Sequence, residues 1–451
     1  MEGGHRVVVL SRRPDQARRD LPFPAEVFAW EEAGEPPPSA LENIEAVVHL
    51  AGEPVAGGRW TAARKARIRD SRVLGTDLLV KSIARSPSAR RSLKTFVMSS
   101  AVGFYGDRGD DPVDESSAPG EGFLAEVCVA WEEAGFALAR EPGFEGVRIA
   151  AVRTGVVLAR EGGALPKLLP TFARGMGGKV GSGQQWMSWI HLDDIVGLYL
   201  FALESGSGPL SSVSGPLNGV SPHPSRNEGF SLALAKAVGK SLLLPLPEAV
   251  VRAALGEMST VLLTGAKASA RKAEGLGYVF RFPDLAPALA DLCAPERDGD
   301  RQLTSEQWVP RPVDDVFRFF SDAGNLEALT PPFLSFSMDA TKNNEASLPM
   351  REGTLIDYRL SVHGVPLRWQ SRIEEWVPGR RFVDEQTKGP YAKWRHTHEF
   401  KALGGGTLLS DRVRYRLPLG GLGSALAGWK VDADVQAIFD FRRQKISELF
   451  A

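Results

Sequence analysis

The chain has 451 residues, 43% hydrophobic and 24% charged, with a formal net charge of -1. That length exceeds one ordinary core and fits two or three domains of roughly 150 residues each, in a composition typical of soluble globular proteins. The near-neutral balance gives no reason to expect nucleic acid or an anionic membrane as the main partner, and Cys128 and Cys293, far apart and without CxxC spacing, exclude a disulfide framework and fit a reducing cytoplasm.

No targeting segment or membrane span is expected. The apolar run at 7–10 is shorter than a signal-peptide core, and the run at 195–203 falls well short of the ~20 residues a span needs.

In chain order, residues 6–10 read as a strand ending in Ser11, Arg12 and Arg13. At the end of the second strand of a dinucleotide-binding fold, arginine accommodates the 2′-phosphate of NADP, whereas an acidic residue selects NAD. Taken alone, the pair better suits a solvated basic turn. No strand with a glycine-rich phosphate loop precedes Arg6, and Gly3-Gly4 looks like the loop before a second strand. The expectation is a Rossmann sheet lacking its first βα unit, with a misplaced start at Met1.

A second strand, 46–50, ends in Ala51-Gly52-Glu53, where a small residue lets a nucleotide approach the backbone. Apolar residues at Ile68, Val73, Leu74, Leu78, Leu79 and Ile83 predict a helix over 61–84. The stretch KTFVMSSAVGFYGD organises the first domain: Phe96-Val97-Met98 is a buried-strand run stopped by Ser99 and Ser100, at the carboxyl edge where open α/β sheets bind ligands. A helix containing Glu126, Cys128 and Glu132 follows, then a strand over 147–152. Asp193 or Asp194 is expected to cap a helix from Ile195, Asn227 to cap another, and 210–216 to form a loop.

Together these pieces resemble an atypical extended short-chain dehydrogenase/reductase of the NAD-dependent epimerase/dehydratase type. The matching segments include GHRVVVLSRRP, VVHLAGEP, SSAVGFYGDRGD, GFLAEVCVAWE, RTGVVLAREGGAL, GSGQQWMSWIHLDDIV and LLTGAKASARK. The resemblance implies a doubly wound α/β fold binding NADP, with NAD left open, and acting on a small-molecule substrate. By position it implies that Ser11, Arg12 and Arg13 face the adenosine phosphate, Leu50, Ala51 and Gly52 the nucleotide, and Ser99 and Ser100 the nicotinamide.

One departure weighs against ordinary hydride chemistry. The superfamily uses Tyr-x-x-x-Lys, whose lysine lowers the phenol pKa. None of the six tyrosines has a lysine four residues later; alignment on Glu132 puts Leu124 and Cys128 at the dyad positions. Candidate catalytic groups are therefore Ser99, Ser100, Tyr105, Glu126 and Cys128, each with a plain structural alternative. A non-catalytic nucleotide sensor is the rival reading.

Composition changes near residue 295. Residues 1–294 form the first domain, 295–301 a linker and 302–451 a second domain. Its strands are expected at 302–309, 354–362, 367–376, 381–386, 394–402 and 407–417, with a helix at 313–320 and a final helix at 432–450. This pattern resembles the SRPBCC, or START-like helix-grip, superfamily, which implies a cavity for an apolar ligand. Trp369, Trp376, Trp394, Phe400 and Phe439 are candidate lining or core residues. His396 and His398 alternate on one strand face, but no third ligand stands at a fixed spacing, so no metal is expected.

Overall fold

The computed structural model describes residues 5–31, 34–204, 213–242, 245–297, 299–338, 350–362 and 364–450. Gly3-Gly4 and part of the 210–216 loop lie outside them. The chain divides into two compact units, 29–297 and 1–28 together with 298–451.

At the N-terminus, β1 (Val8–Ser11) and β2 (Glu26–Ala29) form a two-stranded sheet. Unit 29–297 is built on a four-stranded parallel sheet of β3 (Ala46–His49), β4 (Thr95–Ala101), β5 (Arg148–Thr154) and β6 (Gly215–Gly219), in the order β6-β5-β4-β3. Among the described residues, β3 pairs only with β4, and its Val48 is exposed. The central strand is buried along Thr95 to Met98, as a continuous apolar run in a parallel sheet requires.

Helix α1 (Ala62–Arg85) starts at Thr61, whose side chain accepts from the Arg64 amide. That bond satisfies one of the free amides of the first turn. Ile68, Leu79 and Ile83 are buried on its inner stripe, whereas Leu74 faces out. Helix α2 (Phe123–Phe136) turns Cys128, Trp131 and Glu132 inward.

Two expected caps differ. Helix α3 spans Leu192–Glu204, so Asp193 and Asp194 lie in its first turn. Asp194 instead accepts from the amides of Arg281 and Phe282, at 2.7 and 2.9 Å. Asn227 is the first residue of the helix Asn227–Ala237, and its side chain accepts from the Val180 amide at 2.8 Å.

The other unit carries a seven-stranded antiparallel sheet, ordered β7-β13-β12-β11-β10-β9-β8. The strands are β7 (Arg301–Val309), β8 (Ser337–Met338), β9 (Leu355–Val362), β10 (Val365–Val377), β11 (Arg381–Lys388), β12 (Lys393–Leu403) and β13 (Gly406–Arg416). Helix α4 (Val313–Phe320) and the long α5 (Gly420–Leu449) pack against it. Helix α5 begins well before the expected 432, because the glycines of GGLGSALAG read as loop. Val435, Phe439 and Ile446 are its buried anchors, each worth about 1.5–3 kcal/mol on transfer from water.

Candidate functional site

In unit 29–297 all four parallel strands end on one rim. Leu50, just past β3, is 62% exposed; Ala51 and Gly52 are half-buried. A Cβ on Gly52 would lie 3.0 Å from the Arg72 guanidinium carbon, so glycine here lets Arg72 close over the loop and donate to the Glu53 carbonyl at 2.9 Å. Ser99 is half-buried and shares hydrogen-bonding surroundings with Thr154 and the Tyr199 phenol, which burial pushes above its ordinary value.

Behind the rim lies a closed polar network. Ser100 Oγ donates to Glu132 Oε1 at 2.6 Å. Arg153 donates through Nε to Glu132 Oε1 and through Nη2 to Oε2, both at 2.8 Å, a bidentate geometry that gives strong charge-assisted bonds. Its Nη1 donates to the Tyr105 hydroxyl at 3.1 Å, and Tyr105 donates to Asn218 Oδ1 at 2.7 Å. Asn218 completes the chain by donating to the Ser269 carbonyl. Arg153 also sits 3.4 Å above the centre of the Phe104 ring. Burial alone would lower its pKa, but the Glu132 bonds outweigh that and hold it above the ordinary value.

This network engages the Ser100 and Tyr105 hydroxyls. Burial raises the Tyr105 phenol despite the Arg153 and Asn218 bonds, opposite to what a catalytic phenol near neutral pH needs. Cys128 is buried, and burial followed by the Glu132 charge pushes its thiol up to about 11, so it is no thiolate nucleophile. Both dyad-position side chains pack at Gly103, where a Cβ would meet Leu124 Cβ at 3.3 Å and Cys128 Sγ at 3.9 Å. Glu126 is exposed. Arg12 and Arg13 are exposed, and Ser11 Oγ accepts from the Arg13 amide. His191 is buried and accepts through Nδ1 from the Asp193 amide at 3.1 Å, supporting the strand-to-helix junction.

The second unit contains a cavity of about 190 Å³. Trp369, Trp394 and Phe439 line it, whereas Phe400 and Trp376 belong to the adjoining core. One wall is polar: Asp384, His396, His398 and Arg442. Antiparallel register sets Asp384 opposite His396 and Asp411 opposite His398, and the two-residue strand period puts both imidazoles on the inner face. Burial, then the neighbouring His398, lowers His396 to about 4. Burial opposes charge on His398 as well, but Asp411 and Asp384 raise it overall. Burial also opposes ionisation of Asp411, yet Arg442 and the two imidazoles hold its carboxyl well below the usual range.

The model of the NAD dependent epimerase/dehydratase family matches residues 1–211. An epimerase family protein of Mycobacterium leprae (strain TN) is 38% identical over 274 residues, which cover 60% of this chain and 85% of the relative. The chain belongs to the epimerase family. The crystal structure of human epimerase family protein SDR39U1 with NADPH matches at 33% identity and a TM-score of 0.56, covering 65% of this chain and 92% of that one. The UDP-glucose 4-epimerase of Thermotoga maritima, at 19% identity and TM-score 0.50 over 65% of this chain and 91% of its own, shares the fold alone. A domain of unknown function matches residues 246–292, and the polyketide cyclase / dehydrase and lipid transport family matches 309–439.

In the epimerase-family unit, sequence reasoning used Glu132 only as an alignment anchor and passed over Arg153 and Asn218. Their signal was chemical: an acid on an inward helix stripe and an arginine closing a buried strand require partners. In the helix-grip unit it missed Asp384 and Arg442, which only strand register and the α5 packing bring to the histidines.

Proposed function

We propose that the epimerase-family unit binds NADPH along the carboxyl rim of its parallel sheet and is an oxidoreductase acting on a small substrate, while the helix-grip unit holds an apolar ligand. The observation that carries this reading is the 33% identity to a human protein solved with NADPH, on a chain whose rim carries Gly52 and Ser99. Leu50, Ala51, Gly52 and Ser99 are the nucleotide-facing residues. Ser11, Arg12 and Arg13 carry the 2′-phosphate assignment on the sequence resemblance alone; they lie on β1 and the turn after it, in the 1–28 segment that groups with 298–451. Holding both ligands on one chain raises the concentration of one at the other without new contacts.

A non-catalytic nucleotide sensor is the second reading, favoured by Leu124 and Cys128 at the dyad positions and by the closed Ser100–Glu132–Arg153–Tyr105 network. The test is titration of NADPH and NADH into the full chain, read by tryptophan fluorescence, followed by incubation with a panel of carbonyl compounds. Saturable binding with NADPH at least tenfold tighter, and loss of that preference in the double variant Arg12→Ala/Arg13→Ala, supports the cofactor assignment. Binding without oxidation of NADPH by any compound supports the sensor. No saturable binding of either nucleotide removes the cofactor.

A further inference from the structure

The polar wall of the helix-grip cavity has the arrangement of a metal centre. His396 Nδ1 is 3.7 Å and His398 Nε2 is 3.4 Å from the same Asp384 Oδ2, and one donor atom from each of the three residues lies within 4.8 Å of the other two. A tetrahedral ion with bonds of about 2.0–2.1 Å places its ligand atoms about 3.3–3.4 Å apart. The remaining nitrogens point the other way, toward one carboxylate: His396 Nε2 is hydrogen-bonded to Asp411 Oδ1 at 2.9 Å, and His398 Nδ1 lies 2.7 Å from the same oxygen as an ion-pair contact without hydrogen-bond geometry. Metal-bound imidazoles are oriented in this manner, with the outer nitrogen on a carboxylate that fixes the tautomer and raises ligand basicity.

We propose that Asp384, His396 and His398 bind a divalent first-row transition ion, with Asp411 as the positioning carboxylate and the fourth coordination position open to the cavity. Two imidazoles and a carboxylate suit zinc or iron(II) and disfavour calcium or magnesium, which take all-oxygen shells. Asp411 does not line the cavity, whereas the three ligands do. The open position therefore faces the apolar chamber of Tyr358, Trp369 and Phe439.

The surrounding charge defines the occupant. Arg442 stands on the same wall, its guanidinium 5.3 Å from the Phe320 ring centre and its Nε buried without a hydrogen-bond partner. With both aspartates ionised, Arg442 and a divalent ion leave one net positive charge at the end of an apolar cavity. That favours a ligand with an aromatic or aliphatic body and one anionic oxygen, such as a carboxylate, phenolate or enolate. The inference does not rest on NADPH binding, so either can fail alone.

The test uses the untagged full chain, stripped with a chelator, dialysed, and titrated calorimetrically with Zn2+ and, as a spectroscopic substitute, Co2+. The expected result is one ion per chain, with affinity reduced at least 100-fold in Asp384→Asn and His398→Gln and about 10–100-fold in Asp411→Asn. Failure of the wild-type chain to take up one equivalent of either ion, or undiminished affinity in a folded Asp384→Asn chain, overturns the proposal. Should Asp384→Asn not fold, the visible Co2+ spectrum of the wild-type chain decides: intense tetrahedral bands support the site, and the weak bands of a six-coordinate ion contradict it.

Discussion

Each unit of this protein buries a knot of charged side chains, and the two knots are built on opposite principles. In unit 29–297, Arg153 and Glu132 bond each other twice, and the remaining bonds of the knot end on Ser100, Tyr105, Asn218 and backbone. In the helix-grip unit, Asp384 and two imidazoles point donor atoms toward one another beside a cavity, at distances that leave room for an ion. Burial of charge therefore does not by itself mark a functional site. What distinguishes them is whether the polar atoms are consumed by partners or left converging on open space.

The largest effect that would break this contrast is on stability. Removing one partner of a buried pair leaves an uncompensated charge and costs about 3–5 kcal/mol. Glu132→Gln and Arg153→Met are each expected to lose that much in denaturant unfolding, even though both lie just behind the rim where the nucleotide is proposed to bind. A loss below 1 kcal/mol would mean that the network is not the scaffold described.

A smaller effect sharpens the comparison through another buried imidazole. His49 is buried, and burial lowers its pKa to about 4 from 6.5. Its Nε2 lies 2.9 Å from Thr76 Oγ1, which itself accepts from Trp131 Nε1 at 3.0 Å, so the neutral ring completes a bonded chain. Because the folded pKa is depressed, the unfolded chain binds more protons between pH 6.5 and 4, and stability rises with pH across that window. The His49 contribution is complete above pH 6.5 and falls by roughly 2–3 kcal/mol as pH drops to 4. Comparing the acid limb of unfolding in wild type and His49→Gln checks this: the variant should have the shallower slope.

How much was legible in the sequence follows the range of the interaction. Apolar runs and strand alternation located β4, β5 and α1 and every long strand of the helix-grip sheet, because those patterns are local. The structure of the human relative bears out the first fold assignment, and the family match at 309–439 together with the seven-stranded antiparallel sheet bears out the second. Long-range pairings were not legible: Glu132 and Arg153 are on different elements, and Asp384 meets His396 only through the register of β11 and β12. Glycine content hid the first turns of α5, since glycine reads as loop wherever packing does not override its propensity.

The contrast between a closed knot and an open one is tested most directly by hydrogen exchange of the full chain with and without one equivalent of Zn2+. The account predicts slower exchange confined to β11, β12 and β13, around Asp384, His396, His398 and Asp411, with no change in β4, β5 or α2. Unchanged exchange in those three strands, or protection appearing instead around Glu132 and Arg153, would contradict it.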